Sequence, residues 1–237
     1  MQVQYLEIVT PEADATCAAL ATQHGVRFSE PQASLGNARI AMLAGGGHIG
    51  VRKPYDEEDP VVRPYMLVKD IEAASIAAED QGAEFAMRPT EIPGRGTFAI
   101  YFLGGIQQGL WAEPENAVSE EKFVQIQYLE IVTPEVDETC ATLATQHGVR
   151  FSAPEARLGN AHIAMLAGGG RIGVREMMGG EEPAVNPYML VKDIEAATIA
   201  AEDQGAEFVM RAREIPGQGT LAIYFLGDIQ HGLWQID

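Results

Sequence analysis

Apolar and polar residues alternate along VQYLEIV (residues 3–9), and this period of two predicts a β-strand. Thr10 and Pro11 follow as an N-cap and a first-turn proline, after which EADATCAALATQH has the composition of a helix. Gly25 ends this helix, because glycine adopts the left-handed conformation that closes a helix. The opening of the chain therefore predicts a strand followed directly by a helix.

A strand pattern continues after this helix, and the whole series then begins again. Asp70 caps a second helix, IEAASIAAED, which ends at Gly82. GGG (45–47) predicts a turn between two strands. The other predicted strands are VRFSE, NARIAMLA and HIGVRK in the first series and RPYMLV, AEFAM, GTFAIYF and QQGLWA in the second. Each series is a βαβββ module.

The chain contains a long internal repeat. Residues 2–114 align without a gap with residues 125–237, and about three-quarters of the aligned positions are identical. Each copy has the size of a domain, and the stretch between them is acidic and contains a proline. We predict a first domain at 1–112, a linker at 113–123 and a second domain at 124–237, all of the α+β class.

Composition and charge narrow the classes of partner that the chain is expected to bind. The formal net charge is -18, which argues against binding to nucleic acid or to an anionic membrane surface. Cys17 and Cys140 occupy equivalent helical positions, which predicts buried thiols and no disulfide framework. The chain shows neither a signal peptide nor an apolar run of membrane-spanning length. We expect a soluble cytoplasmic protein.

The order of elements resembles the glyoxalase/bleomycin-resistance/extradiol-dioxygenase family, also called the vicinal oxygen chelate family. The resemblance rests on YLEIVTPEAD at the start of the first module, PYMLVKDIEAA at the start of the second and GGIQQGLW at its end. It implies two tandem domains, in each of which paired βαβββ modules curl into a half-open sheet around a cleft. Because this fold hosts many chemistries, it does not imply one function.

The same resemblance implies where a metal would bind. Family members that use a metal hold it with His, Gln or Glu on the first strand of each module and on the closing strand. Those positions hold Tyr5, Arg63 and Gly109 in the first copy and Tyr128, Asn186 and Gly232 in the second. None of these residues is a plausible ligand for a divalent cation. We therefore predict neither a metal at this place nor another cofactor.

Strand alternation sorts the remaining side chains into a face toward the helices and a face toward the cleft. In the first copy the residues assigned to the cleft are Tyr5, Glu7, Arg39, His48, Arg52, Arg63, Tyr65, Tyr101, Gln107 and Trp111. In the second copy they are Tyr128, Glu130, His162, Arg171, Arg175, Asn186, Tyr188, Tyr224 and Trp234. Cationic and aromatic side chains together suit a planar anionic ligand, such as an aromatic or enol carboxylate.

Several of these residues admit two interpretations. Glu7 and Glu130 are either general bases with a raised pKa or partners in ion pairs with Arg52 and Arg175. The two arginines are in turn either anion clamps or the partners of the glutamates. Tyr5, Tyr65 and Trp111 either stack on a ligand or fill a face of the sheet.

Histidines and two further motifs have simpler interpretations. His48, His162 and His231 are weak acid–base candidates, because the other copy has Arg171, Arg39 and Gln108 in their places. His24 and His147 end their helices, where they complement the helix dipole. GGGHIG (45–50) and GGGRIG (168–173) match a dinucleotide motif, but a strand follows each, which indicates hairpin turns. DEED (56–59) predicts a solvated loop.

Three functions remain open at this point. The first is a metal-independent lyase, isomerase or hydrolase that acts on a small oxygenated anion with Glu7 and Glu130 as bases. The second is a non-catalytic binding protein of the drug-sequestering type. The third is a metalloenzyme with displaced ligands such as Glu7, His48 or His162. The repeat itself predicts an intramolecular pseudo-dimer, present as a monomer or a homodimer, because fusion keeps the second copy where a partner subunit would sit.

Overall fold

The computed structural model of the chain describes residues 1–113 and 124–236, so almost all of the predicted linker, 113–123, lies outside the described residues. Helices and strands follow the predicted order, except that the strand predicted at residues 26–30 is absent. The first repeat contains β1 (Val3–Val9), α1 (Ala13–His24), β2 (Arg39–Met42), β3 (His48–Arg52), β4 (Val61–Leu67), α2 (Ile71–Glu79), β5 (Glu84–Ile92), β6 (Gly96–Leu103) and β7 (Ile106–Ala112). The second contains β8 (Ile126–Val132), α3 (Val136–His147), β9 (His162–Met165), β10 (Arg171–Arg175), β11 (Ala184–Leu190), α4 (Ile194–Glu202), β12 (Glu207–Ile215), β13 (Gly219–Leu226) and β14 (Ile229–Gln235).

Each repeat forms one open, seven-stranded mixed sheet. The strand order is β2-β3-β1-β4-β7-β6-β5 in the first repeat and β12-β13-β14-β11-β8-β10-β9 in the second. β4 pairs in parallel with β7, and β11 with β14, whereas the hairpins β2–β3 and β6–β7 are antiparallel. The α+β class predicted from the pattern is confirmed.

The helix ends show which local sequence signals were sufficient to predict where a helix begins or ends. Asp70 caps α2 as predicted, since its Oδ1 accepts a hydrogen bond from the Ala73 N–H at 3.0 Å. Gly25 closes α1 in the left-handed conformation, also as predicted. The prediction that Thr10 caps α1 is wrong. The helix begins two residues later than expected, and the Thr10 hydroxyl donates to the Gly227 carbonyl at 2.7 Å.

Residues 26–30, predicted as a strand, do not form one. The segment lies along β2, with the Ser29 N–H donating to the Ile40 carbonyl at 2.9 Å and the Ile40 N–H donating to the Ser29 hydroxyl at 3.2 Å. One of these bonds uses a side chain, so the regular backbone ladder of a strand is not built. Residues 45–47 form the predicted turn between β2 and β3 and have positive φ angles that glycine tolerates.

The chain divides into two compact units that do not coincide with the two repeats. One unit contains α2 and β4 to β7 of the first repeat with α3, β9 and β10 of the second. The other contains α1, β2 and β3 of the first repeat with α4 and β11 to β14 of the second. The predicted boundaries, 1–112 and 124–237, follow the sequence repeat and stay a prediction.

Helices cover one face of the strands in each unit, and α2 packs against α3 in one unit as α1 packs against α4 in the other. The cores under α2 and α4 combine small helical residues with large strand residues, among them Ala78 with Leu110 and Ala201 with Leu233. In the part of the chain that the structure describes, no helix is long and apolar enough to cross a bilayer.

Candidate functional site

Aromatic side chains from the predicted cleft pack against one another. In the first repeat, the Tyr5 ring lies 5.6 Å from that of Tyr65 and 5.8 Å from that of Trp111, and Phe98 joins at 6.3 Å from Tyr65. The second repeat places Tyr128 5.6 Å from Tyr188 and 5.7 Å from Trp234. The three predicted residues of each group are nearly fully buried. These rings fill the space between the strands, which is the second of the two interpretations given above.

A glycine on the closing strand makes room for the central ring of each group. A Cβ atom on Gly109 would overlap the Tyr65 ring, and one on Gly232 would overlap the Tyr188 ring. Neither glycine has the positive φ that favours glycine. The close approach of the ring therefore requires the absence of a side chain at these positions.

The positions that the family resemblance assigns to metal ligands do not fit a metal. Tyr5 and Gly109 both adjoin the Tyr65 ring, and the Arg63 Nε–H donates to Gln107 Oε1 at 2.7 Å. Asn186, the counterpart of Arg63, is buried. Within residues 1–113 and 124–236, no three His, Cys, Asp or Glu side chains come together in a way that could hold a metal ion.

In the first repeat, a buried arginine at the end of β3 lies between two carboxylates. The Arg52 Nε–H donates to Glu7 Oε1 at 2.7 Å, and its two terminal nitrogens donate to Glu58 at 2.6 and 2.8 Å. The Lys53 carbonyl accepts a further hydrogen bond at 3.1 Å. The Arg52 side chain is 5% exposed and that of Glu7 8%. The ion pair, one of the two interpretations of Glu7 given above, is therefore present.

The electrostatics of this arginine follow from its two partners. Burial alone would lower the pKa of the Arg52 guanidinium, but hydrogen bonds and charge from Glu58 and Glu7 outweigh burial and raise that pKa. Two carboxylates against one guanidinium leave the cluster with a formal charge of about -1. Since four of the five N–H groups point at protein acceptors, Arg52 is poorly placed to clamp an anionic ligand.

The second repeat builds the same cluster. The Arg175 Nε–H donates to Glu130 Oε1 at 2.7 Å, and its terminal nitrogens donate to Glu181 at 2.6 and 3.0 Å. The hydrogen bond from Arg175 is the main cause of the lowered pKa of the Glu181 carboxyl. Arg175 is therefore held by its glutamates in the same way as Arg52.

Glu58 and Glu181 are not among the residues predicted for the site. Glu58 lies in the DEED stretch, for which the sequence predicts a solvated loop, and Glu181 is its counterpart in the second repeat. The repeat carried a usable signal. Around this stretch the two copies differ at most positions, yet the glutamate six residues after the arginine is present in both. This glutamate, identical in both copies of an otherwise different loop, was the available indication that the buried arginine has a partner there.

Arg39 and His162 do not lie on the predicted face. Cross-strand partners share a face of the sheet, and Arg39 is paired with Val51, while His162 is paired with Val174. Val51 and Val174 are core residues. Arg39 accordingly reaches Asp14 of α1, with 3.7 Å between Nε and Oδ1. The side chains of β2 and β9 alternate oppositely to the prediction, because the face of a strand depends on its register with the partner strand, which a short apolar run does not indicate.

Tyr101 and Tyr224 are also misassigned, and both lie in the cores under the helices. Tyr101 packs with residues of α2, and Tyr224 packs with residues of α4. Burial raises the pKa of the Tyr224 hydroxyl to about 12 and shifts that of Tyr101 in the same direction. Phe98 is opposite Trp111 in the β6–β7 ladder. It lies on the cleft face of β6, where Tyr101 was predicted to lie.

His48 and Arg171 lie on the predicted face, and His48 lines an open groove. His48 is opposite Met42, and Arg171 is opposite Met165. In the first repeat the groove has a volume of about 570 Å³ and lies between β2, β3 and the segment that follows α1. Its lining residues are Gly25, Val26, Arg27, Phe28, Ser29, Ile40, Ala41, Met42 and His48.

Arg27 and Phe28 are the groove residues that the sequence interpretation missed. Arg27 is exposed, and the Phe28 ring is half-buried. None of the described lining residues carries a carboxylate, although the chain as a whole has a formal charge of -18. A guanidinium, an imidazole and an aromatic wall in one groove suit a flat organic anion.

The remaining titratable candidates are buried or half-buried groups. Burial raises the pKa of the Cys17 and Cys140 thiols to about 12, so neither is a reactive thiolate. Burial lowers the pKa of His24 and of His147 to about 4, and the rings are neutral near pH 7. Both histidines lie in the last turn of their helices, as predicted, and with the pKa lowered in this way the neutral rings add no charge to the helix ends. His231 is fully buried as well, and its pKa is likewise lowered to about 4.

Comparison with known proteins gives structural matches and no sequence matches. No protein-family model and no curated protein matches the chain. Among solved structures, the Mn(II)-bound glyoxalase from Novosphingobium aromaticivorans has a TM-score of 0.68 at 14% identity, over 99% of this chain and 81% of that one.

Two other solved structures match over nearly the whole chain. A triple mutant of 4-hydroxymandelate synthase from Streptomyces coelicolor has a TM-score of 0.64 at 14% identity, over 99% of this chain and 92% of that one. The 2,3-dioxygenase LapB from Pseudomonas sp. KL28 has a TM-score of 0.66 at 11% identity, over 99% and 91%. At these identities the likeness shows the fold alone, and the chain has the vicinal oxygen chelate fold that these proteins share.

Proposed function

We propose that this protein binds a small, flat organic anion, such as an aromatic carboxylate, without a metal ion. The observation that carries the proposal is the groove lined by Arg27, Phe28 and His48. The guanidinium offers a paired set of N–H donors to a carboxylate, and the phenyl ring offers an apolar wall to an aromatic body.

Charge supports an anionic ligand over a cationic one. In a chain with 34 acidic and 16 basic residues, a groove without a lining carboxylate is a local exception. An organic cation would meet Arg27 there with no carboxylate among the lining residues to offset the repulsion. The proposal therefore disfavours sequestration of a cationic drug at this place.

The arginine–glutamate clusters favour a structural role for Glu7 and Glu130. Each accepts a 2.7 Å hydrogen bond from a buried arginine that also binds a second glutamate. A general base must reach a substrate proton, whereas this geometry directs the carboxylate at the guanidinium. We propose that these clusters tie the loops containing Glu58 and Glu181 to the sheets.

A metal centre with displaced ligands has less support. Its candidates were Glu7, His48 and His162, and Glu7 is bound to Arg52. His162 shares a face with the core residue Val174, and its Nδ1 lies 2.9 Å from the Ser152 carbonyl. These side chains do not present a common set of donors to one ion.

Isothermal titration calorimetry with benzoate tests the proposal, with benzamide as a neutral ligand of the same shape and benzylammonium as the cation. We expect benzoate to bind more tightly than the other two. Arg27→Ala should weaken benzoate binding in the first groove by ~10-fold or more, because a charge-assisted hydrogen bond contributes about 1.5–3 kcal/mol.

The matched control is Arg88→Ala, which removes an exposed arginine that pairs with Glu79 on β5 and α2. This variant should bind benzoate as the unmodified chain does. Equal affinity for benzoate and benzamide, or an equal loss in both arginine variants, would contradict the proposed function.

A further inference from the structure

We infer that a different groove, between α2 and α3, binds a free α-amino acid with an aliphatic side chain. The α2–α3 groove has a volume of about 630 Å³, which lies within the ~300–1,000 Å³ that is usual for small-molecule sites. All of its lining residues belong to one compact unit. It shares no lining residue with the groove beside Arg27, so the inference goes beyond the proposed function.

Alanine side chains of α2 form an apolar wall of the α2–α3 groove. Ala73 and Ala77 are four residues apart, so they lie on the same side of the helix, and Ala74 adjoins them. Because alanine fills little volume, the helix leaves a trough along one of its turns. No aromatic side chain is among the described lining residues, which favours an aliphatic ligand over a flat aromatic one.

Two opposite charges line the same groove where α2 begins. Lys69 and Asp70 are both exposed. Asp70 Oδ1 accepts the hydrogen bond from the Ala73 N–H, and within residues 1–113 and 124–236 no further hydrogen bond engages this carboxylate and none engages the Lys69 ammonium. A neighbouring ammonium and carboxylate complement a zwitterion, whose carboxylate pairs with Lys69 and whose ammonium pairs with Asp70.

Hydrogen bonds across the groove fix the spacing of its walls. Gln146 of α3 donates through Nε2 to the Ala74 carbonyl of α2 at 3.3 Å. The His147 ring hydrogen-bonds the backbone of Leu67, at the end of β4. Since these bonds join the walls without a ligand, little conformational entropy has to be lost when a ligand binds.

The lining of the α2–α3 groove is nearly the same in the two repeats. Twelve of its thirteen lining positions hold the same residue type 123 positions away in the sequence. In a third groove, of about 370 Å³, which contains Met177 and Met178, only five of eleven do. The copies have therefore diverged at one surface groove and not at the other, which supports a role for the α2–α3 groove.

NMR titration of the ¹⁵N-labelled chain with L-leucine tests the inference. We expect saturable shifts of the Ala73 and Ala77 amide signals and unchanged signals for Ser29 and Ile40 in the groove beside Arg27. 4-Methylpentanoate lacks the ammonium of leucine, 3-methylbutylamine lacks its carboxylate, and glycine lacks its side chain. Each should shift the α2 signals with ~3-fold or more weaker affinity, because each lacks one of the three contacts.

Three variants each change one feature of the groove. Asp70→Asn removes one charge and keeps a good N-cap, Lys69→Gln removes the other charge, and Ala73→Leu places an alkyl chain in the groove from an exposed helical position. Each should weaken leucine binding by ~3-fold or more. Asp80→Asn, at the other end of α2 and outside the lining, is the matched control and should bind leucine unchanged. Circular dichroism spectra and melting temperatures verify folding.

The outcomes separate this inference from the proposed function. Equal affinity for leucine and for either singly charged analogue would overturn recognition of a zwitterion, and equal affinity for glycine would overturn the role of the alanine wall. Leucine binding that Asp70→Asn and Ala73→Leu leave unchanged, or no shift of the α2 signals, would overturn the site itself. None of these results alters benzoate binding at Arg27, and the failure of benzoate to bind would leave the α2–α3 groove unaffected.

Discussion

At the scale of single residues, the glycines opposite Tyr65 and Tyr188 decide what the cleft can hold. A side chain at either position would occupy the volume of an aromatic ring that packs against two or three other aromatic side chains. Gly109 and Gly232 were identified from the sequence as positions without a metal ligand. What the sequence could not indicate is that a tyrosine from the neighbouring parallel strand fills the space.

Replacing Gly109 by alanine should lower the free energy of unfolding by about 1–3 kcal/mol, the usual effect of overpacking a core. Urea unfolding measures this, and Gly232→Ala should show a similar loss. In a Tyr65→Ala background the same Gly109→Ala change should cost less, because the ring it meets is gone. An unchanged cost in that background would contradict the close fit.

The arginine–glutamate clusters give a second prediction at this scale. Arg52→Met leaves Glu7 and Glu58 facing each other without a cation, and it should lower the unfolding free energy by about 3–5 kcal/mol. Arg88→Met, which breaks an exposed pair, should cost less than about 1 kcal/mol. Similar losses in the two variants would show that the buried cluster does not stabilise the fold.

At the scale of elements, local sequence signals predicted helix ends well. The faces of the strands were predicted correctly only in part. Gly25 and Asp70 set helix ends through their own backbone and side chain, so the sequence alone was sufficient. The faces of β2 and β6 depend on register with a partner strand, which short apolar runs do not encode. Arg39 and Tyr101 were misassigned for this reason. Glu58 was missed because a run of charged residues indicates a solvated loop, whereas its hydrogen bond to Arg52 becomes evident only in the structure.

The histidines at the helix ends and on β14 predict acid sensitivity. His24, His147 and His231 have pKa values lowered to about 4 by burial, against 6.5 for an ordinary histidine. The unfolded chain therefore binds more protons between these values, and stability present above about pH 6.5 is lost as the pH falls toward 4. Urea midpoints at about pH 7.5 and about pH 5 measure the loss.

Gln108 occupies the place of His231 in the first repeat, so the chain offers its own control. His231→Gln should reduce the difference in stability between the two pH values, and Gln108→His should increase it. A pH dependence that neither variant changes would contradict the assignment to His231.

At the scale of the whole molecule, the two repeats depend on each other. α1 and α4 belong to one compact unit and α2 and α3 to the other, so each unit pairs helices from different repeats. Ala19 of α1 lies in the core formed by Ile194 and Ala197 of α4. The repeat was evident from sequence, but this exchange of modules was not, because a helix of small residues does not identify its partner.

A chain of residues 1–112 alone should therefore form a homodimer or fail to fold. In a homodimer, α2 of a second copy would take the place that α4 has beside α1. Size-exclusion chromatography with light scattering gives the mass. A folded monomer with the melting temperature of the full chain would contradict the dependence of each repeat on the other.

The most direct test of the central claim, anion binding without a metal, is a thermal-shift experiment on the chain after dialysis against EDTA. Benzoate at about 10 mM should raise the melting temperature, because a ligand that binds only the folded state stabilises it. Mn²⁺ at micromolar concentration should neither shift the melting temperature nor change the effect of benzoate. Stabilisation by Mn²⁺ alone, or stabilisation by benzoate only when Mn²⁺ is present, would contradict the account.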